Sequence, residues 1–138
     1  AGLVLVWGLV IDELPPLRWL LAVLAIIAGI DAGLWWLSPE IQWYVGASGA
    51  LHGVLAAGFV CGLWRRDPVA MIGLPIVLGK LLLEQRGGST GITDGLPVVS
   101  VAHLYGAAAG AVAGAVLRIR RTPPAPGPGQ ARTPAARR

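Results

Sequence analysis

Hydrophobic positions along this chain gather into five runs, at residues 1–11, 19–37, 46–64, 69–83 and 98–117, separated by short stretches rich in proline and charge. A bilayer crossing needs roughly 20 apolar residues, so the second, third and fifth runs read as full transmembrane helices. The fourth is shorter and carries Pro75, which predicts a kinked span. The first is too short to cross and has neither the basic start nor the small-residue cleavage site of a signal peptide. It reads as the end of a helix that begins upstream, stopped by Asp12-Glu13-Leu14-Pro15-Pro16, because paired prolines cannot continue a helix. Ser38-Pro39 closes the second run and Arg65-Arg66-Asp67-Pro68 the third. The expected fold is an all-α polytopic transmembrane bundle over residues 1–121. The Pro/Arg-rich segment 122–138 has nothing to bury and is expected to be a disordered cytoplasmic tail.

Composition agrees: 55% of the 138 residues are hydrophobic and 13% charged, which excludes an ordinary soluble domain. The net charge of +4 is not a nucleic-acid signal, because six of the eleven basic residues, from Arg118 onward, follow the last apolar run. They act better as a topology signal or a lipid-surface contact. With the loop at 65–67 they mark one side as cytoplasmic; the loops at 38–45 and 85–97 then lie outside and are together net acidic. Trp35, Trp36, Trp43 and Tyr44 are expected to form the outer aromatic belt, and Trp7, Trp19 and Trp64 the inner one. Cys61, the single cysteine, lies in an apolar run and reads as packing rather than as a reactive thiol.

Two polar residues in the apolar runs carry the candidate chemistry. Ser48 stands in Gly46-Ala47-Ser48-Gly49-Ala50-Leu51-His52-Gly53 at the head of the third run, and His103 near the head of the fifth. Both runs go from outside to inside. Counting back from Arg65 and Arg118 puts the serine at roughly 26 Å and the histidine at roughly 23 Å, a matched depth. A hydroxyl–imidazole hydrogen bond also needs closely approaching backbones. Gly106, Gly110 and Gly114 on one run, and Gly49, Gly53 and Ala57 on the other, recur at the four-residue step that lets membrane helices pack closely. The same stripes serve equally as a packing seam around a satisfied core hydroxyl. His52, four residues after Ser48, is a rival partner within one helix.

The strings Gly46-Ala47-Ser48-Gly49 and Ala102-His103-Leu104-Tyr105-Gly106, with Gly110 following, resemble the GxSG and AHxxGxxxG signatures of rhomboid intramembrane serine proteases. The longer string from Trp43 to Gly53 is similar to the rhombosortase branch. The resemblance covers about residues 1–118. It implies Ser48 as nucleophile, His103 as general base, and His52 as a branch marker. An earlier helix of the family supplies a histidine and an asparagine to the oxyanion site; neither is present in this sequence, and both are expected upstream of Ala1. The implied substrates are membrane-anchored proteins, cut near the outer face of a bacterial inner membrane at a C-terminal Gly-Gly anchor.

In physical terms, acyl transfer needs an activated hydroxyl, a base, and donors aimed at the oxyanion. The first backbone N–H groups of the serine helix and the positive end of its dipole can supply donors. Gly46 and Gly49 allow a substrate backbone to approach. Asp31, Lys80 and Glu84 are ionisable groups at membrane depth, where charge is costly; Lys80 and Glu84, four residues apart, can pair on one helix face, and Asp31 at a similar depth makes a three-way cluster possible. The segment Gly87-Gly88-Ser89-Thr90-Gly91 lacks the ending of a phosphate-binding loop and reads as a flexible cap over the outer mouth. No metal-ligand spacing occurs, so no metal and no cofactor are expected. Two other classes fit the same pattern: a non-catalytic rhomboid-like protein that binds transmembrane helices, and a transporter fragment using the membrane-level charges.

Overall fold

The computed structural model describes residues 2–41, 46–86 and 99–119. The expectations for Trp43 and Tyr44, for the glycine-rich cap at 87–91 and for the tail at 122–138 lie outside those residues. The described chain is all helical: α1 (Gly2–Val10) runs into a 3-10 turn at Ile11–Glu13, followed by α2 (Pro16–Leu37), α3 (Ser48–Trp64), α4 (Pro68–Gln85) and α5 (Ser100–Ile119). Helices are what these sequences must form in lipid, where every backbone N–H and C=O has to be satisfied within the segment.

Local chemistry sets the boundaries. Pro15-Pro16 ends the 3-10 turn and also begins α2, three residues earlier than the hydrophobic run suggests. A proline in the first helical turn loses no hydrogen bond, and the Pro15 carbonyl accepts from the amides of Arg18 and Trp19 at 2.9 and 3.0 Å. Pro68 starts α4 in the same way, behind Asp67, whose carboxylate accepts from the Val69 amide at 3.0 Å. Pro75 sits inside α4, where it has no N–H to donate.

Helices α2, α4 and α5 are long and apolar enough to cross a membrane; α3, at 17 residues, is shorter than the full span its run suggests. The reason lies in its position. α3 is the hub of the bundle, packed against α1, α2, α4 and α5, and it buries Gly49, Gly53, Val54, Ala56, Ala57, Gly58, Phe59, Cys61 and Gly62. A helix walled in by protein does not have to match the bilayer thickness. Its neighbours turn Leu17, Leu24, Ile72, Ile76 and Val112 outward, as lipid-facing helices should.

Glycine makes the α3–α5 contact. A methyl group added at Gly106, Gly110 or Gly114 would fall on the backbone of Gly49, Gly53 or Ala57 respectively. The pairs advance together in four-residue steps, so the two helices run parallel and both begin at the same end of the bundle. Cys61 is buried in this interface, with its thiol directed at the Gly114 carbonyl at 3.4 Å.

The opposite end is basic and tied across elements. Arg65 pairs with the buried Glu13, Arg18 Nη1 donates to the Leu117 carbonyl at 3.1 Å, and Arg118 lies over the Trp64 ring at 3.7 Å. Trp35, Trp36 and Trp64 are exposed to the surroundings, as interfacial aromatics would be. Trp19 corrects the belt reading: it is only 3% exposed. Its indole N–H donates to the Ile11 carbonyl at 3.0 Å and its ring packs against Trp7, because the 3-10 turn folds over it and leaves a carbonyl that needs a donor.

Candidate functional site

At the end away from Arg18, Arg65, Arg66 and Arg118, three helices meet. Ser48 is the first residue of α3, His103 lies in the first turn of α5, and Lys80 and Glu84 occupy the last turns of α4. The α3–α5 glycine seam starts immediately below and draws the two backbones together. Ser48 Oγ and His103 Nε2 lie 3.0 Å apart, and His103 is 4% exposed.

The other imidazole nitrogen decides what that contact means. His103 Nδ1 is 2.8 Å from Glu84 Oε2. An ionised carboxylate can only accept, so Nδ1–H donates to it, and in the neutral imidazole Nε2 then has its lone pair facing the serine hydroxyl. In that tautomer the Ser48 O–H donates to Nε2, the orientation a base requires.

His52 is fixed by the complementary logic. Its Nε2 lies 3.0 Å from Lys80 Nζ, and its Nδ1 lies 2.7 Å from the Ser48 carbonyl oxygen. An ammonium only donates, so Nε2 accepts from Lys80 and Nδ1–H donates to Ser48. Within α3, His52 thus bonds the serine's main-chain carbonyl. The two imidazoles stack, with centroids 4.3 Å apart and planes 18° apart, and Lys80 closes the circuit by pairing with Glu84 four residues on.

The expected Lys80–Glu84 pair forms, and the third member of the cluster is corrected. Asp31 is exposed on α2 and takes no part; the partners of Lys80 and Glu84, beyond each other, are the two histidines. The sequence signal for this was present in the depth of Lys80 and Glu84, since ionisable groups inside a span face a partner. Spacing alone could not say which partner. His52, Glu84 and His103 also bring donor atoms within 4.8 Å of one another, a set that could hold a metal ion. The Lys80 ammonium, bonded to both Glu84 and His52, already supplies the positive charge at that place.

The two loop-side glycines have different surroundings. Gly46 is exposed at the mouth with φ 152°, a conformation that side-chain-bearing residues rarely adopt. Gly49 is buried against Gly106, and Gly53 against Gly106 and Ile26. Below His103, the Tyr105 hydroxyl and the buried Ser38 hydroxyl lie 2.9 Å apart, joining α5 to the end of α2. A lateral groove of about 680 Å³ between α2 and α5, lined by Gly29, Gly33, Trp36, Tyr105 and Ala109 among others, includes neither Ser48 nor His103.

An apolar helical bundle with a serine hydroxyl, two imidazoles and an ion pair enclosed at one end is an integral membrane protein built around a polar site. Residues 3–120 match the model of the Rhomboid domain. The chain belongs to the rhomboid family, a family of intramembrane serine proteases. Neither a curated protein nor a solved structure matches it significantly.

Proposed function

We propose that this chain is an intramembrane serine endopeptidase of the rhombosortase branch, with Ser48 as nucleophile and His103 as general base. The observation that carries the reading is the 3.0 Å contact between Ser48 Oγ and an imidazole nitrogen whose opposite nitrogen faces a carboxylate. In the acylation step His103 Nε2 takes the Ser48 proton as Oγ attacks the scissile carbonyl carbon. The new imidazolium then gives that proton to the departing amine as the C–N bond breaks. A water molecule, deprotonated by the same nitrogen, then attacks the acyl ester, and the imidazolium gives that proton to Oγ as the C–O bond breaks and the acid product leaves.

The amides in the first turn of α3 and the positive end of its dipole border the mouth where the oxyanion forms. Gly46 and Gly49 serve the substrate backbone in different ways: Gly46 lets it pass close at the exposed mouth, and Gly49 keeps α5 near enough for His103 to reach the hydroxyl. Gly53, Gly106 and Gly110 continue that packing. The basic end, with Arg18, Arg65, Arg66 and Arg118, supports a cytoplasmic assignment, which puts the serine toward the outer, periplasmic face of a bacterial inner membrane. The substrates are membrane-anchored proteins carrying a C-terminal Gly-Gly anchor. Glycine suits this role because a peptide bond inside a helix is shielded, and the cleavage point must become extended to be attacked.

The test is labelling of the membrane-embedded protein by a fluorophosphonate probe. Labelling is expected in the wild type, absent in Ser48→Ala and His103→Ala, and retained in His52→Ala, because His52 bonds the serine's main-chain carbonyl. Absence of labelling in the wild type under conditions where the protein is folded would replace this reading with that of a non-catalytic binder of transmembrane helices.

A further inference from the structure

The resemblance to rhomboid proteases implies a serine nucleophile and a histidine base, and assigns no acid to orient that histidine. The structure adds an acid. We propose that Glu84 is a positioning residue for His103, held in place by Lys80, so that the hydroxyl, imidazole and carboxylate act as one relay. The proposal rests on the protease reading above and goes beyond it.

Three observations carry it. The Glu84 side chain is 9% exposed, and its two oxygens are divided between two partners, Oε1 on Lys80 and Oε2 on His103 Nδ1 at 2.8 Å. A carboxylate this enclosed needs compensating charge, and Lys80, one helical turn earlier on α4, supplies it. The nitrogen that Oε2 engages is the one opposite Ser48. Neutral imidazole carries one proton; with Nδ1–H held by Glu84, the proton cannot reside on Nε2, and Nε2 keeps the lone pair that takes the Ser48 proton. When His103 becomes imidazolium during acylation, Glu84 is already in place to stabilise it, with no reorganisation needed inside the bundle.

Lys80 has a second contact that makes the arrangement closed. Its ammonium donates to His52 Nε2 at 3.0 Å, and His52 Nδ1–H donates to the Ser48 carbonyl at 2.7 Å. The pair Lys80–Glu84 thus fixes both imidazoles in complementary tautomers, one turned to the serine's hydroxyl and one to its main chain. Stacking of the rings at 4.3 Å holds each against rotation.

The experiment is steady-state cleavage of a membrane-anchored Gly-Gly substrate by the full chain in proteoliposomes, with active sites counted by fluorophosphonate titration. Glu84→Ala is expected to lower kcat per titrated site about 100-fold while KM stays within about twofold, as loss of a general base's orientation would. Glu84→Gln keeps a carbonyl oxygen facing Nδ1–H and is expected to recover about tenfold of that loss. Asp31→Asn, on the exposed face of α2, should match the wild type. If Glu84→Ala does not fold, Glu84→Gln alone carries the test, with kcat per titrated site expected about tenfold below wild type.

Wild-type kcat in both Glu84→Ala and Glu84→Gln, with Ser48→Ala and His103→Ala inactive, would overturn the assignment and leave the protease reading intact. So would a loss in Glu84→Ala that lies wholly in the fraction of titratable sites, since that is a folding effect. A folded wild type that neither labels nor cleaves would overturn both.

Discussion

Replacing Gly106 by alanine tests whether the glycine seam exists to bring the serine and the histidine together. Gly106 lies one helical turn after His103 on α5 and faces Gly49, the neighbour of Ser48 on α3. The added methyl carbon would lie 2.8 Å from the Gly49 carbonyl carbon and nearer still to its oxygen, whereas ordinary contacts begin near 3.4 Å. Both obstacles are backbone, so no rotamer change relieves them, and the helices must part by on the order of 1 Å. Overpacking of this kind costs about 1–3 kcal/mol. A comparable displacement would stretch the 3.0 Å contact between Ser48 Oγ and His103 Nε2 beyond hydrogen-bonding range, and a misplacement of about 1 Å costs on the order of 100-fold in rate.

The assay pairs thermal unfolding in detergent with the rate of fluorophosphonate labelling. Gly106→Ala is expected to unfold at lower temperature and to label about 100-fold more slowly. Gly79→Ala is the control: nothing lies within 4 Å of a methyl group there, and a helix-interior glycine replaced by alanine gains about 0.5–1 kcal/mol. Wild-type stability and wild-type labelling in Gly106→Ala would refute the reasoning, because they would mean that α3 and α5 are not in backbone contact at this level.

Two further predictions concern the basic end. Arg65→Ala removes the cation paired with buried Glu13 and is expected to lower the unfolding temperature more than Glu13→Gln, which removes the buried charge itself; the reverse order would show that the pair is not what keeps the turn in place. Trp19→Phe deletes the donor to the Ile11 carbonyl while keeping most of the ring packing, and a loss of about 1 kcal/mol in chemical unfolding is expected. An unchanged stability would mean that the Ile11 carbonyl finds another donor.

Much of the architecture could be read from the residues because the bilayer leaves few choices. Apolar runs of this length become helices, prolines and charges mark their ends, and the arginines of 65–66 and 118 gather at one end of the bundle. Ser48 and His103 stood out for the same reason: polar groups are scarce in such runs. The helix boundaries are less legible, since Pro15-Pro16 reads as the stop of one helix and also starts the next. The burial of Trp19 was not legible at all, because it depends on a carbonyl exposed by a 3-10 turn that hydrophobicity does not encode.

From its residues alone this chain is legible as a helical membrane protein with a serine, two histidines and three ionisable groups kept at membrane depth. How those groups divide emerges from the packing of the helices. That packing left Asp31 on the outer face of α2 and sent Lys80 and Glu84 to the histidines. It also turned His52 to the serine's carbonyl and His103 to its hydroxyl. The physical reason is that a charge buried among helices is satisfied by whichever partner lies within about 3 Å, and which partners lie that close is fixed by how α3, α4 and α5 pack, a property of three segments together that no single run of residues contains.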